Sequence, residues 1–174
     1  MVLRHKGTTP QFDSSVFIAP TACVIGDVQI GEKSSLWFNV VVRGDVNHIR
    51  IGKRTNVQDG SIIHVTRGTH PTVIGDDVTI GHSVTLHGCT VENSCLIGIG
   101  AIVLDGVTIG ESSLVAAGSV VAPGTKVPPR SLVIGNPGKI KRTLTDAECS
   151  NLLSFAENYI SYQHDYRTSV ERIG

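Results

Sequence analysis

A small hydrophobe returns every sixth residue through most of this chain, and very few folds accept that period. Val91, Ile97, Val103, Ile109, Val115, Val121 and Val127 keep the beat without a slip. It runs earlier through Val24, Ile30, Leu36 and Val42, then Ile51, Val57 and Ile63, then Ile74, Ile80 and Leu86. Glycine often follows, as in Ile51-Gly52, Ile74-Gly75, Ile80-Gly81 and Ile97-Gly98. A short fixed period means a solenoid, and a hexapeptide period means a parallel β-helix with three hexads to each coil. Equivalent residues of successive coils then stack at about 4.8 Å, the spacing of hydrogen-bonded strands. Aromatic residues make up only 5% of a chain that is 40% hydrophobic, which suits a narrow prism filled by Val, Ile and Ala.

The period turns the spacing of three histidines into geometry. Ile51, Val57 and Ile63 lead the three faces of one coil, and Ile74, Ile80 and Leu86 lead those of the next. The step from Ile63 to Ile74 is too long, and Thr66-Arg67-Gly68-Thr69-His70-Pro71 supplies a loop for the excess. His64 and His87 then occupy one slot, directly after the third-face lead, one strand spacing apart. His82 lies two places after the second-face lead. The five-residue step from it to His87 spans roughly 15 Å when extended, too far for zinc–imidazole bonds of about 2.1 Å. A third ligand must therefore come from a neighbouring subunit, and the threefold prism suggests a cyclic homotrimer. Arg43 falls in the column of His64 and His87, while Asp59 takes the slot that His82 fills one coil later.

The remainder of the chain sets bounds. One domain is expected, with a β-helix over residues 1–144 and a helix over 145–174 packed on the same domain. Thr145-Asp146-Ala147-Glu148 reads as a capping box. Leu152, Leu153, Ala156, Tyr159 and Ile160 recur at helical spacing, so this helix should cover solenoid surface near the histidines. Before it, Pro128-Pro129 and Gly135-Asn136-Pro137-Gly138 end the coils. Fifteen basic and fifteen acidic residues leave no net charge, and no basic cluster argues for nucleic acid. No apolar run approaches the ~20 residues of a membrane span, and Met1–Pro10 lacks a signal-peptide core, so a cytoplasmic protein is expected. Cys23, Cys89, Cys95 and Cys149 form no Cys-x-x-Cys pair. Cys89 and Cys95 read as small buried fillers, with a thiol nucleophile beside His87 as the alternative.

Arg43-Gly44-Asp45, Asn56-Val57-Gln58-Asp59-Gly60, His64, and Ile80-Gly81-His82-Ser83-Val84-Thr85-Leu86-His87-Gly88-Cys89 resemble the γ-class carbonic anhydrase family. The resemblance covers nearly the whole chain. It implies a left-handed β-helix, although parallel crossovers are otherwise almost always right-handed, and a trimer with metals at its interfaces. It also implies His64 and His87 as ligands from one subunit with His82 from the next, and Arg43 and Asp45 as interfacial ion-pair residues. Gln58 corresponds to the residue that orients the metal-bound hydroxide, Asn56 and Asp59 support it, and Tyr159 is the best match to the tyrosine that approaches from the C-terminal helix, with Tyr162 and Tyr166 as its neighbours in sequence and helix packing as the plainer role of any of them. One departure stands out. The acidic residues that export the proton are missing, since Val46 follows Asp45 and no acid follows His64 before Asp76. His70 is a possible substitute shuttle, its ordinary pKa lying near neutrality, or else a loop histidine without a role.

Three imidazoles leave one coordination position open for water, the mark of a catalytic site. Bound metal lowers the pKa of that water to about 7, the value characteristic of carbonic anhydrases, and the hydroxide can attack CO2 to give bicarbonate. Gln58 would orient by hydrogen bonding, because an amide is no general base. Zn2+ suits three neutral imidazoles, and Fe2+ or Co2+ would also fit. The imidazoles need acceptors that fix their tautomers, and Asp59 is a candidate. Two alternatives remain: a hexapeptide-repeat acyltransferase or acyl-CoA thioesterase using one histidine as base, and a non-catalytic trimer stapled by metal.

Overall fold

The computed structural model describes residues 1–171 and 173. The chain winds into a left-handed parallel β-helix of about seven turns. Its three faces are lines of short strands, each led by one of the periodic hydrophobes. On the first, Val24, Val42, Ile63, Leu86, Val103 and Val121 pair in succession. On the next, Ile30, Ile51, Ile74, Val91, Ile109 and Val127 do the same. The third runs Ile18, Leu36, Val57, Ile80, Ile97, Val115 and Val133. Apart from Ile18, which is partly buried, these leads are all but removed from solvent. The hexads thus build one continuous hydrophobic column, and each face repeats its contacts from coil to coil.

Two departures from the period matter for the site. Between Val42 and Ile51 the chain stays extended as one long strand, Val41–Ile51, which turns a corner of the prism and carries Arg43 and Asp45. Between Ile63 and Ile74 the chain leaves the prism as the expected loop, which folds back on itself through Thr66 N–H to His70 O at 2.9 Å. Despite that excursion the register is kept, and His64 is the direct strand partner of His87.

The prism closes with an antiparallel hairpin, Ser131–Gly135 and Gly138–Thr143. Helix α1, Asp146–Ser169, follows, with Thr145 and Glu148 forming the reciprocal capping box. It lies against the third face through Leu152, Ala156 and Gln163, which are buried. The contact stripe differs from the one expected. Leu153 is 39% exposed and the polar Gln163 is buried in the last turns, its Nε2 donating to Lys33 O at 3.0 Å. Positions 152, 156, 159 and 163 define the packed face, so amide bonding to the coil backbone replaces part of the apolar contact. Trp37 receives this helix edge-on, 5.3 Å from the ring of Tyr159 and 4.9 Å from that of Tyr166.

Candidate metal centre

Each of the three histidines stands against its own carboxylate. His64 Nε2 lies 3.0 Å from Asp45 Oδ1. His87 Nδ1 lies 2.6 Å from Asp105 Oδ1. His82 Nδ1 lies 3.0 Å from Asp59 Oδ2. An ionised carboxylate only accepts, so the ring nitrogen facing it carries the proton, and the other nitrogen of a neutral imidazole keeps its lone pair. Burial works to raise the Asp45 carboxyl, but hydrogen bonds from His64 and Arg43 outweigh it and hold it below its ordinary range. Asp105 behaves alike: burial opposes, and the bonds from His87 and Thr66 prevail.

In the neutral tautomers that these carboxylates favour, His64 Nδ1 and His87 Nε2 both keep their lone pairs, and they face each other at 3.2 Å. Two opposed lone pairs at that distance repel unless a cation lies beside both. Two tetrahedral bonds of 2.1 Å would separate their nitrogens by about 3.4 Å. The donor set therefore fits a divalent metal. Among the described residues no group of three His, Cys, Asp or Glu side chains converges to hold one.

The polar residues picked out from the sequence fall into two clusters. Arg43 pairs with Asp45 within the same chain. Asp45 is shared between Arg43 and His64, because the strand turning the corner brings its side chain back over the histidine column. On the neighbouring face Asn56 and Gln58 are buried and linked. Gln58 Nε2 donates to Asn56 Oδ1 at 3.1 Å, and Asn56 Nδ2 donates to Thr79 Oγ1 at 2.9 Å. One N–H of the Gln58 amide is thereby fixed on Asn56, and its carbonyl oxygen takes no partner among the described residues of the chain. Gln58 and His82 border a cavity of about 500 Å³ between α1 and the third face, walled by Ile99, Leu114, Phe155 and Tyr162. Tyr159 joins this wall, and burial, followed by the nearby Asp59 charge, pushes its hydroxyl up to about 12. It both packs the helix and reaches the cavity as a neutral phenol.

Asp105 and Thr66 were not legible as site residues. Thr66 Oγ1 donates to Asp105 Oδ2 at 2.8 Å, behind His87. His70 is no free loop side chain: its ring stands over Gly106, and its charge bears on Asp105. Cys89 is only 1% exposed and burial pushes its thiol up to about 12, which removes it as a nucleophile.

Known proteins resemble this chain over nearly all of its length. The family described as bacterial transferase hexapeptide (six repeats) matches residues 88–123. A carbonic anhydrase from Geobacillus kaustophilus is 45% identical over 167 residues, covering 96% of this chain and 91% of that protein. The mitochondrial gamma carbonic anhydrase 2 of Arabidopsis thaliana is 48% identical over 158 residues, which cover 88% of this chain. The chain spans 57% of that plant protein's length. A solved Bacillus cereus structure, described as a candidate acetyltransferase, superposes with a TM-score of 0.93 at 41% identity and covers 96% of each chain. The column of paired histidines, its carboxylates and these relatives place the chain in the gamma carbonic anhydrase family of hexapeptide-repeat proteins.

Proposed function

We propose that this protein is a metalloenzyme hydrating CO2 to bicarbonate at sites shared between the subunits of a homotrimer. The observation that carries the reading is the approach of His64 Nδ1 and His87 Nε2 to 3.2 Å, with a carboxylate behind each ring. His82 lies 3.0 Å from Asp59 and stands on another face, so it serves the site of an adjoining copy, as a neighbouring copy's equivalent histidine completes this one. Zn2+ is the expected ion, with Fe2+ or Co2+ compatible with the same donors.

When bound, the ion supplies the Lewis acidity that makes water a nucleophile near neutral pH. The chain's own residues do the rest. Gln58, pinned through its Nε2, offers Oε1 as an acceptor that orients a water proton and leaves a lone pair aimed at the carbon of CO2. The apolar wall of Ile99, Leu114 and Phe155 suits an uncharged, poorly hydrated substrate. Arg43 holds Asp45 in place and so keeps His64 turned toward its neighbour.

A second reading, hydrolysis or transfer of a small acyl group, draws support from the size of the same cavity, which far exceeds what CO2 occupies, and from the acetyltransferase description of the Bacillus cereus structure. One experiment separates the two. CO2 hydration and acyl-thioester turnover are measured on the protein loaded with zinc, with iron(II) under anaerobic conditions, and without metal. Metal-dependent hydration is expected. Silence toward CO2 with metal fully bound, joined to thioester turnover, would overturn the hydration reading.

A further inference from the structure

Resting on the metal reading above, we propose that Asp105, oriented by Thr66, is the positioning residue that makes His87 a ligand through Nε2, while Asp45 makes His64 a ligand through Nδ1. The two rings therefore bind one ion through opposite nitrogens.

The reasoning starts from the repeat. His64 and His87 occupy the same slot of adjacent coils and are direct strand partners. Identical side chains stacked in a β-solenoid tend to run parallel, so that each presents the same nitrogen in the same direction and the two lone pairs never meet. Here they meet because the rings are turned apart, with 60° between their planes and centroids 5.1 Å from each other. Carboxylates bracket the pair from the two adjoining coils, one on each side along the prism axis. Asp45 comes from the coil before His64, and Asp105 from the coil after His87. One takes the Nε2 proton and the other the Nδ1 proton, leaving Nδ1 and Nε2 facing inward at 3.2 Å.

Asp105 cannot swing away. Its Oδ1 takes His87 and its Oδ2 takes the Thr66 hydroxyl. Thr66 is tied in turn by its N–H to His70 O and by its carbonyl to Asn47 Nδ2 at 3.1 Å. The loop between the two coils thus serves to hold a threonine against this aspartate. Carboxylate partners of ligand imidazoles set tautomer and ring angle, and their loss typically weakens metal affinity by about 10–100-fold.

Two measurements on the full chain test this. Long-range proton–nitrogen correlation on 15N-labelled protein reports which ring nitrogen carries hydrogen. Metal-free protein should show His87 protonated on Nδ1 and His64 on Nε2, and zinc should then shift His87 Nε2 and His64 Nδ1. The same tautomer on both rings would overturn the proposal. Zinc Kd, read by chelator competition, should rise about 10–100-fold in Asp105→Leu. It should rise less in Asp105→Asn, whose amide oxygen still accepts from Nδ1, and to an intermediate degree in Thr66→Val. A merely structural Asp105 would give Asn and Leu variants of equal, near-wild-type Kd, and that result would overturn it. The spectrum needs no variant, so a leucine protein that fails to fold leaves the proposal open to refutation. Wild-type protein that keeps these tautomers but takes up no zinc would sink the metal reading instead.

Discussion

Replacing Gly88 with alanine reaches the metal centre without touching a ligand. Gly88 follows His87 and has φ +58°, where a Cβ costs roughly 1–2 kcal/mol. That Cβ would stand 2.2 Å from Asp105 Oδ1 and 2.8 Å from the Cβ of His70. Ordinary contact begins at 3.4 Å, so the carboxylate must retreat by about 1.2 Å. Gly88 itself cannot yield, because its N–H is held by Thr72 Oγ1 at 3.0 Å. Retreat along the bond would stretch the 2.6 Å contact to His87 beyond hydrogen-bonding range. A charge-assisted bond at this partly exposed position is worth about 1–2 kcal/mol, equivalent to about 5–30-fold in zinc affinity. Chelator competition measures the affinity, and thermal unfolding of the metal-free protein measures the backbone strain separately. A folded Gly88→Ala protein with wild-type zinc affinity would refute the claim that Asp105 is pressed against His87 with no room to spare.

Two further outcomes follow from the scaffold. Leu86 is fully buried between Ile63 and Val103 in its column, so Leu86→Ala should lower stability by about 2–5 kcal/mol in chemical denaturation; a loss below 1 kcal/mol would mean that the coils close up around the gap. Glu148 is held down to about 2 by Arg142, with the Thr145 N–H and hydroxyl adding to it. Because its folded pKa lies below its ordinary value, its contribution is complete above about 4.5 and disappears as the pH falls toward 2. Glu148→Gln keeps the reach back to the Thr145 N–H and loses the charge, so it should melt below wild type at pH 7, with the gap closing between pH 4.5 and 2. A gap independent of pH would contradict the assignment.

How much of this was readable beforehand depends on where the hexads hold. Wherever the leads run unbroken, register followed from counting, and even the loop after His64 could be subtracted to put His64 beside His87. Asp105 escaped because the period shortens by one residue between Leu86 and Val91. Thr85 therefore pairs with Ile102, and Asp105 lies diagonal to His87 instead of in its column. The contact of Asp45 with His64 escaped for a related reason. The long strand turns a corner after Val42, where the two-residue alternation of side chains gives no guide to direction. The burial of Gln163 rather than Ile160 was hidden too, since a glutamine that bonds a coil carbonyl reads in sequence as a surface residue.

The central claim is that each metal site draws on two subunits, and mixing defective chains tests it most directly. His64→Ala and His82→Ala proteins should each bind almost no zinc. Co-refolded in equal amounts, every mixed trimer would contain one interface with both halves intact, so about a quarter of wild-type binding should return. Mixed trimers verified by mass that recover no zinc would contradict the shared site and the account built on it.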